Sequence, residues 1–298
     1  MKYLALLTAL AGCVTDVEDD GPSFDSLAKK SVTIVQHNVE KKQGPIDNAI
    51  QSAQATGALG IALEEVCPDQ LARLQAAHGT QWTIGFVQQK HAPSEGCDNP
   101  AAPGGHDIPF VVAIWTGGTN GSVQAFPALG APAAAPGEMV CVSFTFAKMQ
   151  SHLCAAHLIS AKWTDPATNT VYDGEDVRKR QVKHVADINH AWVHAGDVAI
   201  VAGDFNGQPD TAPLDLMYVP ALGGSGDFTE YNRTNGRDGI DTAHANGNNT
   251  TTGEAYAKKI DYVFFSRNHA PLAGAMPAFQ KDTSDHDMVT STAQIAKN

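Results

Sequence analysis

Acidic, amide and imidazole side chains stand in this sequence where apolar runs stop or start. They are Asn38, Glu40, Glu65, His157, Asp204, Asn206, Asp261, Asp285 and His286. Carboxylate and amide oxygens suit hard cations such as Mg²⁺, Mn²⁺ or Ca²⁺, which polarise phosphoryl oxygens. An imidazole held by a carboxylate can stabilise charge or move protons. Together these groups could hydrolyse a phosphate ester.

Each of these residues also has a purely structural interpretation. Asp204-Phe205-Asn206-Gly207 is a good turn sequence, and Asp285-His286 could cap a turn or a helix. Glu65 could simply precede the helix predicted at Pro68, and a lone His157 could be a core histidine with its hydrogen bonds satisfied. Convergence of the whole set is therefore the functional hypothesis.

The apolar runs predict the elements that would bring these residues together. Val32–Val35, Leu59–Leu63 and Val198–Ala202 read as strands, the last one buried on both faces. An antiparallel strand begins at the sheet edge where its neighbours end, so groups before and after strands can meet at one edge. Further strands are predicted at 82–87, 110–115, 140–146, 152–159, 260–265 and after His286, with helices beginning at Pro45 and Pro68 and spanning 177–192.

Composition allows a large core and argues against nucleic-acid binding by the protein as a whole. Of 298 residues, 43% are hydrophobic, and the net charge is -12. A local basic rim or a bound cation could still attract a polyanion. The pairs Lys41-Lys42 and Lys258-Lys259 flank the predicted edge, where they are either solvated charges or phosphate-steering groups. No linker divides 31–298, which predicts one α/β domain.

The amino-terminal segment predicts export. Residues 1–12 resemble a signal peptide, and Leu10-Ala11-Gly12-Cys13 resembles a bacterial lipobox, which implies lipidation of Cys13. The alternative is an ordinary secretory signal that is cleaved slightly later. Residues 13–30 are then an acidic tether. No other apolar run approaches the ~20 residues of a membrane span, so only a lipid anchor would attach the protein to a membrane.

The remaining four cysteines predict two disulfides in an oxidising compartment. Cys141 and Cys154 lie opposite each other across a hairpin centred near Ala147-Lys148, where a cross-strand bridge is possible. Cys67 and Cys97 would form the other pair. The alternative is four free buried thiols.

Six segments in order resemble the endonuclease/exonuclease/phosphatase superfamily, which has the deoxyribonuclease I-like fold. They are QHNVE at 36–40, ALEEVC at 62–67, AAHL at 155–158, GDFN at 203–206, KIDYVFFS at 259–266 and SDHDMV at 284–289. The resemblance covers residues 31–295. It implies an α/β four-layer sandwich of two packed mixed β-sheets with outer helices, and an active site that uses Mg²⁺, Mn²⁺ or Ca²⁺.

The resemblance also implies roles for the individual residues. Glu65 looks like the principal metal carboxylate, and Asn38, Glu40 and Asp285 are similar to residues that complete the metal environment. Asp204 and Asn206 match positions that orient the attacking water and hold the phosphate.

Two histidines complete the implied set. His286 looks like the imidazole paired with Asp261, and His157 matches the second family histidine, with the acid and base roles left open. The sequence departs from the family pattern at Glu64, where a Gln is common and a Glu adds charge. It departs again at 108–115, where nuclease members commonly carry a Glu or Arg that supports the histidine or the phosphate. This stretch is apolar here, and Asp107, just before it, is the only nearby candidate partner for His157.

Three classes of function are compatible with these motifs. The first is an exported nuclease, expected to be a monomer, that attacks phosphodiester bonds. It would use side chains such as Arg178, Arg180, Tyr231 and Arg233 to reach nucleic acid. Arg178 and Arg180 could instead cover a helix face. The second is a sphingomyelinase or phospholipase C type of phosphodiesterase, or a small-molecule phosphatase; 223–254 lacks the paired aromatics that lipid-cleaving relatives use. The third, a non-enzymatic module, conflicts with the complete set of polar residues.

Overall fold

The β-branched runs of the chain form strands in a computed structural model, which describes residues 30–90, 96–98, 105–130, 135–165, 167–244 and 257–296. The strands are β1 Lys30–Asn38, β2 Gly60–Val66, β3 Thr83–Gln88, β4 Cys97–Asp98, β5 His106–Asp107, β6 Phe110–Trp115, β7 Ser122–Phe126, β8 Glu138–Phe146, β9 Met149–His157, β10 Trp163–Thr164, β11 Val171–Tyr172, β12 Val198–Asp204, β13 Phe228–Thr229, β14 Ala243–His244, β15 Ala257–Lys258, β16 Asp261–Ser266, β17 Ala278–Gln280 and β18 Met288–Ile295. The helices are α1 Gln43–Thr56, α2 Pro68–His78 and α3 Gly174–Ala195, with 3₁₀ turns at Leu214–Leu216 and Pro220–Leu222.

Two six-stranded mixed sheets are built on the same plan. The first has the order β17-β18-β1-β2-β6-β3, and the second has the order β13-β16-β12-β9-β8-β7. Each has a parallel pair at its centre, β1 with β2 and β9 with β12, flanked by antiparallel strands. The carboxyl ends of the parallel strands therefore share one edge with the starts of β16 and β18.

The sheets pack face to face, and the helices cover their outer faces. In β12, Ile200 and Ala202 face the first sheet, whereas Ala199 and Val201 pack against the side that carries Val182 and Val185 of α3. On the other side, α1 and α2 pack on the first sheet. This confirms the predicted four-layer sandwich. The continuous apolar character of β12 follows from its burial on both faces.

Both predicted disulfides are present. Cys141 and Cys154 are register partners in the β8–β9 ladder, with Cα atoms 4.0 Å apart. Cys67, at the start of α2, is bonded to Cys97 of β4. Two disulfides are typical of proteins that fold in an oxidising, extracellular environment.

Some parts of the chain differ from the sequence-based predictions, and others lie outside the residues that the structure describes. The polar stretch 223–254, rich in Gly, Asn and Thr, predicts a long surface excursion. In its described part, 223–244, β13 joins the second sheet and Glu230 and Asn232 are buried. Strands β7, β10 and β11 were not predicted. The predicted signal peptide, Cys13, the predicted tether up to residue 29 and residues 245–256 lie outside the described residues. Within the described part of the chain, the helices are too short or too polar to cross a bilayer.

Candidate active site

A cleft of about 810 Å³ opens at the edge where the strand ends of the two sheets meet. It is lined by Glu65, His157, Asp204, Asn206 and His286, which come from four separate segments of the chain. Asn38 at the end of β1 donates from Nδ2 to Asp204 Oδ2 at the end of β12, over 3.2 Å. The two parallel pairs thus deliver their polar ends to one place, as the strand-end argument predicts.

Asp204 lies at the centre of this group. Its Oδ1 accepts the backbone N–H of Asn206 at 2.8 Å, and its Oδ2 lies 3.6 Å from His157 Nε2 and 3.8 Å from His286 Nε2. Burial, followed by the repulsion of Asp261, raises the pKa of Asp204 to about 6, although both histidines act to lower it. An aspartate with this pKa is a stronger base than an exposed one.

His286 is held by Asp261 in a buried pair. His286 Nδ1 lies 2.8 Å from Asp261 Oδ2, which leaves Nε2 facing Asp204 and the cleft. Burial alone would lower the pKa of His286, but Asp261, Asp204 and Asp285 together raise it to about 11. His37 Nε2 contacts the backbone carbonyl of His286 at 3.2 Å, so both the backbone and the ring are fixed.

Asp261 is itself oriented by a buried hydrogen-bond network. Gln36 Nε2 donates to Asp261 Oδ1 and to Glu64 Oε2, each over 2.9 Å, and Thr242 Oγ1 donates to Asp261 Oδ2 over 2.8 Å. Burial raises the pKa of Glu64 well above its ordinary value, so its carboxyl favours the neutral form. Burial therefore opposes the negative charge that the sequence comparison assigned to Glu64.

His157 is oriented by a residue that the sequence argument missed. The side-chain amide of Gln89, directly after β3, donates to His157 Nδ1, so Nε2 faces Asp204 and the cleft. Gln89 is buried, and its sequence signal is the same as for the other site residues: a polar side chain where a strand ends. Asp107, the expected candidate, lies in β5 opposite Cys97.

Glu65 lies at a bulge in β2, where the chain register shifts between Leu63 and Val66. Its φ of 59° is in the left-handed region, which turns the side chain towards the cleft. Its Oε1 accepts from Asn38 Nδ2 at 3.3 Å, and its Oε2 lies 3.1 Å from Lys41 Nζ. Burial alone would raise the pKa of Glu65, but electrostatic attraction from His157 and Lys41, with hydrogen bonds from Lys41 and Asn38, holds it at about 2.

Two further carboxylates, those of Glu40 and Asp285, lie near Glu65. Glu40 Oε2 accepts the backbone N–H of Asp285 at 3.0 Å and pairs with Lys42 Nζ at 2.6 Å. Burial raises the pKa of Asp285; His286 lowers it, and the neighbouring charges of Glu40 and Glu65 raise it further. The carboxylates of Glu40, Glu65 and Asp285 and the amide oxygen of Asn38 are donors of the kind that a hard divalent cation prefers. Asn38 links Glu65 to the backbone of Glu40, and the chemistry of these donors suits such an ion.

A second group in the cleft could also hold a metal. Asp204, Asp261 and His286 offer one ligand atom each, and these atoms lie within 4.8 Å of one another. However, both oxygens of Asp261 already accept hydrogen bonds, and His286 Nδ1 is bound to it. These contacts occupy atoms of Asp261 and His286 that would otherwise be available to an ion.

Other polar residues fix the cleft wall. Asn206 Nδ2 donates to the carbonyl of Leu158 at 2.9 Å. Arg178 Nη1 donates to the carbonyls of Ile159 and Ser160, both at 3.1 Å. Arg178 therefore holds the segment that follows His157. The two roles considered from the sequence were contact with nucleic acid and coverage of a helix face.

Three residues considered for surface contacts are instead structural. Tyr231 is buried and its hydroxyl donates to the carbonyl of Pro271, and Arg233 Nε donates to the carbonyl of Glu230. Lys259, expected to be a solvated charge, is buried and forms an ion pair with Glu230 at 2.7 Å.

Positive and aromatic side chains line the open part of the cleft. Lys41 and Lys90 lie on one side, and Lys162 and Trp163 lie in and beside the β10–β11 hairpin. Trp163 stacks with Tyr172 across the hairpin, with ring centroids 5.6 Å apart. Ile159 and Val177 form a small core beneath this pair.

Comparison with solved structures identifies the fold. An endonuclease/exonuclease/phosphatase from Bacteroides vulgatus superposes with a TM-score of 0.59 and 13% identity, covering 90% of this chain and 100% of that one. The human Nocturnin catalytic domain gives 0.58 and 12%, covering 90% and 98%. Danio rerio TDP2 complexed with a single-strand DNA product gives 0.56 and 15%, covering 89% and 98%. No model of a protein family matches the sequence, and no curated protein matches it.

Proposed function

The deoxyribonuclease I-like fold of the endonuclease/exonuclease/phosphatase proteins is the premise from which we propose that this chain is an exported, metal-dependent phosphodiesterase acting on nucleic acid. One observation carries the proposal: Asp204, His157, His286 and Glu65 converge on a single cleft. The distances of 3.6 and 3.8 Å from Asp204 Oδ2 to the two Nε2 atoms leave the carboxylate and both rings within reach of one small group. A phosphoryl group with its attacking water has the required size and charge.

The proposed reaction is attack of water on phosphorus. Asp204 takes a proton from the water, the new bond joins the water oxygen to phosphorus, and the phosphorus–ester oxygen bond breaks. The leaving oxygen then takes its proton from solvent. Asn38 and the Asn206 N–H orient Asp204 for this step.

The two histidines stabilise the phosphoryl oxygens. His286 Nε2 faces the cleft because Asp261 holds Nδ1, and Asp261 stabilises the charged ring. His157 Nε2 faces it because Gln89 holds Nδ1. Glu65, with Asn38, Glu40 and Asp285, would hold a hard cation, with Mg²⁺ proposed first and Mn²⁺ or Ca²⁺ as alternatives. Such an ion would neutralise charge that develops on the phosphoryl and leaving oxygens.

The lining of the cleft favours a nucleic acid as substrate. Lys41, Lys90 and Lys162 supply positive charge within a protein of net charge -12. Trp163 offers a ring for base stacking, which is worth about 1–3 kcal/mol per base. The structure of a TDP2 relative of the same fold contains a single-strand DNA product, which supports this choice.

A lipid substrate has less support. The large apolar side chains that are strongly exposed among the described residues are Phe86, Val123, Val171, Ile240 and Met276. Only Val171 belongs to the hairpin that borders the cleft. A membrane-binding surface would need a contiguous apolar patch at the cleft mouth.

Export rests on the two disulfides together with the signal-like residues 1–12. We propose that the mature chain either carries a lipid on Cys13 or is released, with 13–30 as a tether before a domain of residues 31–298. Labelling of cells with a radioactive fatty acid would distinguish the two, since Cys13→Ala removes the label only from a lipoprotein.

Turnover of a substrate panel tests the proposed activity. The panel contains single- and double-stranded DNA, RNA, sphingomyelin and bis-p-nitrophenyl phosphate, each with Mg²⁺ and with chelator. Wild-type protein is compared with Asp204→Asn and with Asp187→Asn, an exposed carboxylate on α3 that forms an ion pair with Lys183. Cleavage of DNA or RNA lost only in Asp204→Asn supports the proposal. Cleavage of sphingomyelin alone, or of none of these substrates, contradicts it.

A further inference from the structure

A further group of side chains that could ligate a metal lies near the end of α3, away from the cleft. His190 and His194 are separated by one helical turn, so both rings project from the same face. Their ring centroids are 3.8 Å apart, and His190 Nδ1 lies 2.5 Å from Asp227 Oδ2. One ligand atom from each of the three residues lies within 4.8 Å of the others. We propose that His190, His194 and Asp227 form a binding site for a divalent transition-metal ion, of which Zn²⁺ is the representative.

The donor set selects the class of ion. Two imidazole nitrogens and one carboxylate oxygen suit Zn²⁺, Co²⁺, Ni²⁺ or Cu²⁺ and are poor ligands for Mg²⁺ and Ca²⁺. Two histidines at i and i+4 on a helix present nitrogens at a spacing that one ion can bridge. A water would complete a tetrahedral site with three protein ligands. His194 also lies in the last turn of α3, where the helix dipole favours a positive charge.

Both halves of the site are fixed to the same short segment. The backbone N–H of Arg267 donates to the carbonyl of Asp227 at 2.8 Å. The next residue, Asn268, donates from Nδ2 to the carbonyls of Val193 and Asp197 at 3.1 and 3.0 Å, and so holds the end of α3. The histidine and aspartate elements are therefore positioned relative to each other before any ion binds, which reduces the ordering that binding requires.

The site is separate from the catalytic cleft. The start of α3 borders the cleft, and His190 lies 12 residues beyond Arg178, roughly 18 Å along a helix that rises 1.5 Å per residue. Asp227 precedes β13, which pairs with the end of β16, whereas Asp261 lies at the start of β16. An ion here would tie α3 to the second sheet without touching the substrate.

Zinc titration of the full chain tests the site without relying on catalysis. Protein stripped by chelation is titrated calorimetrically with Zn²⁺ in excess Mg²⁺, in a Glu65→Gln background to weaken the oxygen-donor site in the cleft. We expect one Zn²⁺ equivalent that depends on the three residues. Because changes beside metal ligands already weaken binding about 10- to 100-fold, loss of an imidazole ligand in His194→Ala should weaken it at least tenfold.

Three controls make the result decisive. His78→Ala removes a half-exposed histidine that stacks on Trp82 and should leave zinc binding unchanged. Asp227→Asn keeps the size of the side chain but should also weaken binding. Co²⁺ should give the absorption bands of a tetrahedral nitrogen-ligated ion in the parent protein and not in His194→Ala. Equal zinc affinity in the parent, His194→Ala and Asp227→Asn would overturn the proposal and leave a simple His–Asp ion pair.

Discussion

Asp261 and His286 form a 2.8 Å contact that joins the two sheets of the sandwich at the cleft. Asp261 is the first residue of β16 in the second sheet, and His286 precedes β18 of the first sheet by two residues. The contact therefore depends on correct packing of the sheets, and it fixes the direction in which Nε2 of His286 points. In our account this orientation is a requirement of catalysis.

Replacement of His286 tests that requirement. We expect His286→Ala to lower kcat by about 10²-fold or more, because a positioned charge beside the phosphoryl group is lost, while the fold is retained. Turnover and far-UV circular dichroism are measured together. The matched control is His269→Ala, which removes a histidine with backbone hydrogen bonds at the far edge of the same sheets. A folded His286→Ala protein with wild-type kcat would contradict the assignment.

Gln89 provides a test of positioning rather than of direct catalysis. Gln89→Leu removes the hydrogen bond to His157 Nδ1, and because misplacement of a catalytic group is costly, we expect kcat to fall about 10- to 100-fold with little change in KM. Gln88→Leu alters the exposed neighbouring side chain and should have no effect. Equal kcat values for the two variants would show that His157 does not need this partner.

The buried carboxyl of Glu138 should make the stability of the folded protein depend on pH. Burial raises its pKa from 4.5 to about 7, although the backbone N–H groups of Lys90 and Gly137 act to lower it. The folded state therefore binds more protons than the unfolded state between these values, so stability falls as pH rises through this window. At about 1.4 kcal/mol per pKa unit, the penalty at high pH is on the order of 3 kcal/mol.

Glu138→Gln should remove this penalty. In urea unfolding, we expect the variant to gain stability relative to wild type between pH 5 and pH 8. Comparison with wild type at each pH cancels the titration of the other groups. The difference in the free energy of unfolding between the two proteins should change across this range. If it stays constant or changes in the opposite direction, burial does not raise the pKa of Glu138.

The two disulfides should contribute unequally to stability. In the chain-entropy description, a cross-link stabilises more when it closes a longer loop. The separations of 30 residues for Cys67–Cys97 and 13 for Cys141–Cys154 correspond to about 3.6 and about 2.9 kcal/mol. Urea unfolding of the paired Cys→Ala variants measures both. A larger loss on removal of Cys141–Cys154 would show that packing in the core outweighs loop closure.

The sequence predicts the site mainly through one rule, that polar residues at strand ends meet at a sheet edge. The rule works for Asn38, Glu65 and Asp204 because their strands are long, apolar and buried on both faces. It also explains why the antiparallel β16 and β18 bring in Asp261 and His286. Cysteine spacing predicted the disulfide of the β8–β9 hairpin because antiparallel register partners have residue numbers with a constant sum.

Other features depend on tertiary contacts that no local pattern reveals. Strand β7 is mostly exposed, so it lacks an apolar alternation, and the two-residue strand β10 is too short to show one. The raised pKa of Glu64 follows from burial between the sheets, and the role of Arg178 follows from carbonyls about 18 residues before it. These properties emerge only when the sheets and α3 are packed together.

Turnover of bis-p-nitrophenyl phosphate by Asp204→Asn, with and without divalent cations, tests the central claim most directly. Wild-type protein should hydrolyse the ester with Mg²⁺ and lose activity with chelator. Asp204→Asn should remain folded and be at least about 10²-fold slower in kcat with Mg²⁺, because its amide cannot accept the proton of the attacking water. Equal turnover of the two proteins, or undiminished wild-type turnover after thorough chelation, would contradict the account.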